Sequence, residues 1–251
     1  MLQFKDLVND FVELGLEKDD VILVYSSFAS FGGVLGGPQI VIDALLDILG
    51  KNGTLIVPTF NFSFSNNKSI FDIKNTPSEM GIISEFVRKT NQSKRTIDPV
   101  YSFSILGKLK ETLSSISYLN SYGKNSMFAK LREYNAKILM IGLSYTESMT
   151  FFHHVEEMQK VDYRYTKEFH GQFVNESGII SPCRISFRVR NLELGVKAEA
   201  NRMGIILENE KISKIKKIGN SIVKLMNVNE VYDRTIKELK KNPHILYKIN
   251  H

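Results

Sequence analysis

The sequence has 251 residues, of which 43% are hydrophobic and 24% charged, as in an ordinary globular protein. Its 33 Lys and Arg residues exceed its 27 Asp and Glu residues, and the resulting formal charge of +6 suits an anionic small ligand. The basic residues form no stripe interleaved with aromatic side chains, so a nucleic-acid partner is not expected. No apolar run is long enough to cross a bilayer, so no membrane association is expected either.

The amino-terminal residues and the cysteine usage bear on the compartment. Residues 1–16 are amphipathic and carry acids, unlike a signal peptide. Cys183 is the only cysteine, which excludes an internal disulfide. No histidine lies near it in the sequence, so a buried structural thiol is favoured over a nucleophile. We therefore expect a cytoplasmic protein.

Residues 21–59 predict a strand, a glycine-rich loop, a helix and a second strand. The first strand is the short apolar run at residues 21–24, which suits burial on both faces. Four glycines within residues 32–37 allow positive φ and a close approach of the backbone to a ligand. Pro38 suits the first position of a helix, and apolar residues then recur at helical spacing. Such a βαβ unit opens its loop at the carboxyl edge of a sheet, where α/β proteins bind ligands.

The glycine loop by itself does not identify a ligand. Its GGxxGG pattern lacks the spacing of the dinucleotide fingerprint, and no Lys-Ser or Lys-Thr follows as in a P-loop. A tight turn without a ligand therefore stays open as an alternative. The helix that follows the loop favours a binding site instead, because its amino terminus offers free N–H groups and a positive dipole end to an anion.

The rest of the chain predicts a mixed sheet between helices, in one domain over residues 1–251. Residues 61–75 predict a loop over the site, and Thr76, Pro77 and Glu79 predict a capping box that starts a helix to about residue 90. Further strands are predicted at 100–106 and 137–143, and a short strand or hairpin at 216–227. Further helices are predicted at 109–115, at 127–134, from about Met149 and at 228–241. Residues 163–174, 179–189 and 203–207 are predicted as strands or strand–helix mixtures.

The densest titratable cluster is His153-His154-Val155-Glu156-Glu157 on the predicted helix. Because residues three or four apart share a helix face, His153 is expected beside Glu156 and Glu157. A neighbouring carboxylate orients an imidazole and raises its proton affinity, as a general base requires. A surface helix with favourable His–Glu pairs is the structural alternative. A metal site at His153 and Glu157 would need further ligands, and no His or Cys cluster supplies them, so no metal is expected.

Several segments together resemble one enzyme family. They are YSSFASFGGVLGGPQIVIDALLDILGKNGTLIVPTF, TPSEMGIISEFVR, RTIDPVYSFSILG, YGKNSMFAKL, KILMIGL and TFFHHVEE. In this order and spacing, over about residues 19–157, they resemble the aminoglycoside 3-N-acetyltransferase family, which is unrelated in fold to GNAT acetyltransferases. The resemblance implies an antibiotic N-acetyltransferase-like α/β fold, acetyl-CoA as co-substrate and an amino sugar as acceptor. The later YRYTKEFHGQF and RVRNLELG resemble the branch found with surface-polysaccharide genes rather than the drug-resistance enzymes.

The resemblance also implies roles for individual residues. The family motif Thr-x-x-His-x-x-Glu maps onto Thr150, His153 and Glu156, with His153 as general base and Glu156 as its orienting carboxylate. The implied contacts to CoA are Ser26, Ser27, Phe28, Ser30, Phe31 and Gly32 in the glycine loop, together with Ser102 and Ser126. Thr59 is expected to donate to the oxyanion as an alternative to backbone N–H groups. Asp98, where the family often has histidine, and Glu157 are predicted to bind the substrate.

These expectations combine into direct acetyl transfer from acetyl-CoA to an amine in a ternary complex. The basic composition, and the single acid Asp72 within residues 61–75, favour a less cationic acceptor than an aminoglycoside, such as a nucleotide-linked amino sugar. A CoA-binding protein without catalysis and a metal-dependent hydrolase are the alternatives from other classes. A homodimer stays open.

Overall fold

The computed structural model describes residues 1–66, 70–117 and 119–249, and a mixed seven-stranded sheet runs through it. The strands are Val21–Ser26 (β1), Thr54–Pro58 (β2), Ile70–Asp72 (β3), Lys94–Arg95 (β4), Phe103–Gly107 (β5), Lys137–Ile141 (β6), Arg164–Val174 (β7), Ile180–Arg190 (β8), Val196–Ala198 (β9), Lys214–Ile218 (β10), Ser221–Asn227 (β11) and Tyr247–Ile249 (β12). The large sheet has the order β10-β11-β6-β1-β2-β5-β4. Two smaller sheets are β3-β7-β8 and β12-β9.

Strand β1 lies at the centre of the large sheet, between two parallel neighbours. Ile22 pairs with Leu55 of β2 on one side and with Lys137 of β6 on the other. The carboxyl ends of these three strands therefore meet at one edge, as the sequence predicted. Strands β5 and β11 run antiparallel to β2 and β6 and begin at that same edge.

Helices cover both faces of this sheet. They are Phe4–Leu14 (α1), Pro38–Leu49 (α2), Ser63–Asn66 (α3), Ile82–Lys89 (α4), Lys110–Ser114 (α5), Met127–Glu133 (α6), Tyr145–Ser148 (α7), Phe151–Gln159 (α8), Asn201–Asn209 (α9) and Val228–Leu239 (α10). Side chains alternate along β1, so Val24 packs with α1, α2 and α4, and Leu23 packs with α6, α8 and α10. Each face thus has its own apolar cluster, and the mixed α/β fold class is confirmed.

A long hairpin extends from the layered core. Its strands β7 and β8 pair antiparallel over their full eleven-residue lengths, with Arg164 opposite Arg190 at the open end and Val174 opposite Ile180 next to the turn. The open end of the hairpin follows directly on α8. The hairpin register therefore decides which β8 side chains come to lie beside that helix.

Several local predictions are confirmed and three are wrong. Pro38 opens α2, and the four loop glycines all have positive φ. The capping box is wrong, because α4 begins at Ile82 after Gly81 and the Thr76 hydroxyl instead accepts from the Asp72 N–H at 2.8 Å. The segment at 203–207 belongs to helix α9 and is not a strand.

The third error concerns the loop predicted at residues 61–75, which contains α3 and β3; residues 67–69 lie outside the described residues. Strand β3 forms because it pairs in parallel with β7, a partner that is distant in sequence. Among the helices that the structure describes, none is both long and apolar enough to span a bilayer. The single-domain organisation and the cytoplasmic location stay predictions.

Candidate active site

His153 and Glu156 form a close pair on α8. His153 Nδ1 lies 2.7 Å from Glu156 Oε2, as expected for residues three apart on a helix. The imidazole is 27% exposed, whereas Glu156 is only 2% exposed. The carboxylate is therefore held inside the protein, and the imidazole stands between it and the surface.

Two residues at the start of β7 hold the Glu156 carboxylate in place. The Tyr163 hydroxyl donates to Glu156 Oε1 at 2.8 Å, and Arg164 Nε lies 2.8 Å from Glu156 Oε2. Lys160 ends α8 in the left-handed conformation, and the chain then turns back so that Tyr163 and Arg164 face the helix they have just left. Burial alone would raise the pKa of the Glu156 carboxyl, but Arg164 and His153 lower it to about 2.

The same contacts define the tautomer of His153. A carboxylate only accepts hydrogen bonds, so Nδ1 must carry the proton and donate to Glu156. Arg164 Nη2 also lies 2.9 Å from Nδ1; with the proton on Nδ1 this contact joins two donors, so it is not a hydrogen bond, and the positive charge of Arg164 disfavours further protonation of the ring. We assign the proton to Nδ1 on this basis, which leaves Nε2 with its lone pair free. Within the described part of the chain, Nε2 makes no hydrogen bond.

The charge environment keeps the imidazole neutral. Burial, and then the positive charge of Arg164, lower the pKa of His153 below its ordinary value of 6.5, although Glu156 opposes this effect. Arg190 lowers it further. A neutral imidazole with a free Nε2 can accept a proton near pH 7.

The two neighbouring residues of the cluster have other environments. His154 is fully buried, its Nδ1 lies 2.7 Å from the Tyr122 carbonyl oxygen, and burial lowers its pKa to about 4. Glu157 does not join the His153 pair as the sequence predicted. Its Oε1 accepts from Asn120 at 3.2 Å, and the side chain lines a separate cavity beside Lys124. Its predicted contact with the substrate gains no support from this position.

Two cavities open onto His153. One, which we call the helix cavity, encloses about 250 Å³ and is lined mainly by residues 145–150 with Phe62. The other, the hairpin cavity, encloses about 200 Å³ and is lined by residues 187–190 with Tyr122. His153, Tyr101 and Arg190 line both cavities. A larger cavity of about 690 Å³, next to α4 and β4, is lined by neither His153 nor the glycine loop.

The glycine loop lies at the predicted sheet edge, and its serines are not equivalent. Ser30 Oγ is bonded within the protein: it donates to the Ser27 carbonyl oxygen at 2.6 Å, and it lies 2.8 Å from Ser221 Oγ, whose hydroxyl can donate to it. The side chains of Ser26 and Ser27 make no hydrogen bond among the described residues. Ser26 and Ser27 are therefore available to a ligand, and Ser30 maintains the loop.

The remaining loop residues shape its backbone. Residues Phe28–Phe31 form a 3-10 helix, in which the Phe31 ring is buried and packs edge-on against Phe28 at 6.4 Å. Gly32 follows with φ 79°, and a Cβ there would lie 2.2 Å from Asn220. Only glycine fits that position. Direct contacts of these residues with CoA stay predictions.

Thr59 and Ser102 lie in a buried polar network instead of facing either cavity. Both are fully buried. Ser102 Oγ donates to the Thr59 carbonyl oxygen at 2.7 Å and accepts from Arg95 Nε at 3.1 Å, and the Thr59 hydroxyl is 3.1 Å from Ser102 Oγ. A donor role for Thr59 and a CoA contact for Ser102 therefore gain no support from the geometry, because neither hydroxyl reaches a cavity.

Asp98 and Ser126 are likewise buried and bonded to backbone. Asp98 Oδ1 accepts from the N–H groups of Val100 and Tyr101 at 2.8 and 2.7 Å, so it positions the Tyr101 ring that lines both cavities. Ser126 is the N-cap of α6 and accepts from the Ala129 N–H at 3.4 Å. Both side chains stabilise the fold. Their predicted contacts with a ligand gain no support from these positions.

Four site residues were not recognised from the sequence: Tyr101, Tyr163, Arg164 and Arg190. Tyr163 and Arg164 follow α8 closely, and a polar Tyr-Arg pair at the start of an otherwise alternating strand was the available signal. Arg190 reaches the site through hairpin pairing, for which the local sequence carries no signal. Among the residues that the structure describes, no three His, Cys, Asp or Glu side chains lie together as metal ligands would.

The fold is that of an acetyltransferase. The solved structure of AAC-IIIb in a binary complex with CoASH has a similar fold, with a TM-score of 0.82. The match covers 95% of this chain and 96% of that chain, at 22% sequence identity. The YokD protein from Bacillus subtilis also matches with a TM-score of 0.82, covering 96% of this chain and 94% of that chain at 25% identity.

The family follows from the sequence comparison. The profile described as aminoglycoside 3-N-acetyltransferase matches residues 23–240, so the chain belongs to that family of acyltransferases. The aminoglycoside N(3')-acetyltransferase-like protein YokD of Bacillus subtilis is 26% identical over 91% of this chain and 89% of its own length. Aminoglycoside N(3)-acetyltransferase III of Pseudomonas aeruginosa is 27% identical to this chain. That match covers 63% of this chain and 65% of that enzyme. The predicted family and enzyme class are thereby confirmed.

Proposed function

We propose that the protein transfers an acetyl group from acetyl-CoA to an amino group of an amino sugar, with His153 as general base. One observation carries this proposal: His153 lines two cavities, a buried carboxylate orients its imidazole through Nδ1, and its Nε2 makes no hydrogen bond within the described part of the chain. Family membership and the CoA-bound relative support acetyl-CoA as the donor.

The chemistry requires a proton acceptor on the protein. The attacking amine must lose a proton as its nitrogen bonds to the carbonyl carbon and the carbon–sulfur bond breaks. His153 Nε2 accepts that proton, and the CoA thiolate leaves and is protonated in turn. Glu156 stabilises the imidazolium that forms, because its charge lies 2.7 Å from Nδ1. Cys183, the only thiol of the chain, lies on β8 with no activating partner, so a covalent intermediate is not part of the proposal.

The residues available to acetyl-CoA lie at the same sheet edge. Among the described residues, the Ser26 and Ser27 hydroxyls make no hydrogen bond and a Cβ at Gly37 would meet nothing within 4 Å, so a ligand can approach the backbone there. Helix α2 begins directly after Gly37, so the positive end of its dipole lies at this loop, which suits a phosphate.

Release of free thiol from acetyl-CoA tests the proposal when it is followed with a panel of amino sugars. We expect release that depends on the amine and a product that is acetylated on nitrogen. Release without any amine would indicate a thioesterase. Tight CoA binding with no release for any amine would support the rival CoA-binding protein, and the intact His153–Glu156 pair argues against that rival.

A further inference from the structure

One arginine beside the proposed base, Arg190, has no partner among the residues that the structure describes. Arg190 is half-buried and lines both cavities together with His153 and Tyr101. In the described part of the chain its guanidinium donates no hydrogen bond and forms no ion pair. A guanidinium that lines a cavity and has no partner among the described residues can donate its hydrogen bonds to a bound ligand.

The hairpin register brings Arg190 to this position at an energetic cost. Arg190 is the cross-strand neighbour of Arg164, and like charges directly opposite each other are destabilising. The charge of Arg164 is balanced by Glu156 at 2.8 Å. Nothing in the described structure balances that of Arg190. An arrangement that breaks a rule of packing in this way is typical of a functional site.

The acids around the two cavities do not offset this charge. Glu156 is already engaged by Arg164 and His153. Glu147, which lines the helix cavity, keeps its negative charge while it accepts from the N–H group and the hydroxyl of Ser144, but it is exposed, and water therefore weakens its effect at Arg190. The lining of the hairpin cavity that the structure describes contains no acid. Over the two linings together, the three arginines Arg164, Arg188 and Arg190 outnumber the two acids Glu147 and Glu156, so the space in front of His153 carries an excess of one positive charge.

We propose that Arg190 binds an anionic group, a phosphate or a carboxylate, on the amino sugar that accepts the acetyl group. This rests on the proposed function. The planar guanidinium matches either anion with two parallel hydrogen bonds, and the contact would hold the acceptor amine at His153. The phosphates of CoA are not the anion in question, because the pantetheine arm separates them from a thioester held at His153. A polycationic aminoglycoside would be repelled by the same charge.

The test compares acceptors that differ only in an anionic substituent. Initial rates of thiol release are measured for glucosamine, glucosamine 1-phosphate and muramic acid, which carry no anion, a phosphate and a carboxylate. We expect wild-type kcat/KM to favour at least one of the anionic acceptors over glucosamine by about 10- to 100-fold. The two anionic arms show which anion the site takes.

Two matched variants assign the preference to one residue. In Arg190→Gln the ratio between the preferred anionic acceptor and glucosamine should fall towards one. Arg184→Gln is the control, because Arg184 lies exposed on the same strand and lines neither cavity. It should keep the wild-type ratio.

Each outcome decides the proposal. Equal wild-type kcat/KM for all three acceptors overturns the role of Arg190 and leaves acetyl transfer intact, and this result needs no variant to fold. An unchanged ratio in a folded Arg190→Gln also overturns it. Absence of thiol release with every amine would instead overturn the proposed function itself.

Discussion

The adjacent histidines on α8 allow one substitution to separate chemistry from stability. In His153→Gln the amide can still donate to Glu156 but cannot accept the proton of an amine. Loss of a general base costs about a hundred- to ten-thousandfold in turnover, or roughly 2.7 to 5.4 kcal/mol of barrier. Because His153 is 27% exposed, unfolding free energy should fall by only about 1 kcal/mol or less.

The same change at His154 should have the opposite effect. The His154 ring is fully buried between Phe151 and Tyr232, and its Nδ1 bonds the Tyr122 carbonyl oxygen. A glutamine fits that space poorly and should cost about 1 to 3 kcal/mol of stability. In a chain of this size that corresponds to a fall in Tm of roughly 2 to 12 °C. The folded variant should keep most of its turnover.

Thiol release under saturating acetyl-CoA and thermal unfolding by circular dichroism measure the two effects. Mass spectrometry of the acetylated product confirms that the residual signal comes from transfer. Wild-type turnover in His153→Gln would refute the assignment of the base. A larger loss of turnover in folded His154→Gln than in His153→Gln would refute the separation of roles.

Three further predictions concern the same site. Glu156→Gln leaves Arg164 buried without its anion and should lower the free energy of unfolding by roughly 3 to 5 kcal/mol. Thermal unfolding should then show a Tm lower by roughly 6 to 20 °C, and an unchanged Tm would contradict a stabilising Glu156–Arg164 ion pair. Ser27→Ala should raise the KM for acetyl-CoA about two- to tenfold, because its hydroxyl is available to the ligand. Ser30→Ala should lower Tm instead, because its hydroxyl holds the loop together. Equal effects of the two variants on KM would contradict these separate roles. Protonation of Nε2 removes the base, so kcat/KM should fall as pH decreases through the pKa of His153, which burial and Arg164 hold below its ordinary value. This fall adds to the one that protonation of the substrate amine causes in every variant, so identical pH profiles for wild type and His153→Gln would contradict the assignment.

The sequence alone determined the features that depend on short-range periodicity. Apolar runs and glycine spacing determined the βαβ unit and the position of its loop at the sheet edge. Helical spacing determined that His153 and Glu156 lie side by side, because three residues along a helix span about one turn. Alternation within residues 164–190 indicated strands, although it did not indicate how far they would pair.

Only the tertiary structure decided which polar groups face ligand and which are enclosed. Helical spacing and the family motif favoured His153 over His154, but only the packing shows that His154 is buried against Tyr232 while His153 lies at a cavity. Thr59 was predicted to donate to the oxyanion and Asp98 to bind the substrate; both are buried, and they contact Ser102 and the backbone at Tyr101, so neither prediction gains support. These outcomes depend on long-range packing, which local periodicity does not encode.

The charges around His153 also depend on contacts that only the tertiary structure decided. Arg164 reaches Glu156 because the chain reverses after α8, and Arg190 reaches His153 because the hairpin register sets it opposite Arg164. A shift of the register by one residue would turn the β8 side chains to the other face of the hairpin. The sequence therefore determined a histidine–carboxylate pair at the rim of a sheet, and the pairing of distant strands decided that the pair would face an unpaired cation.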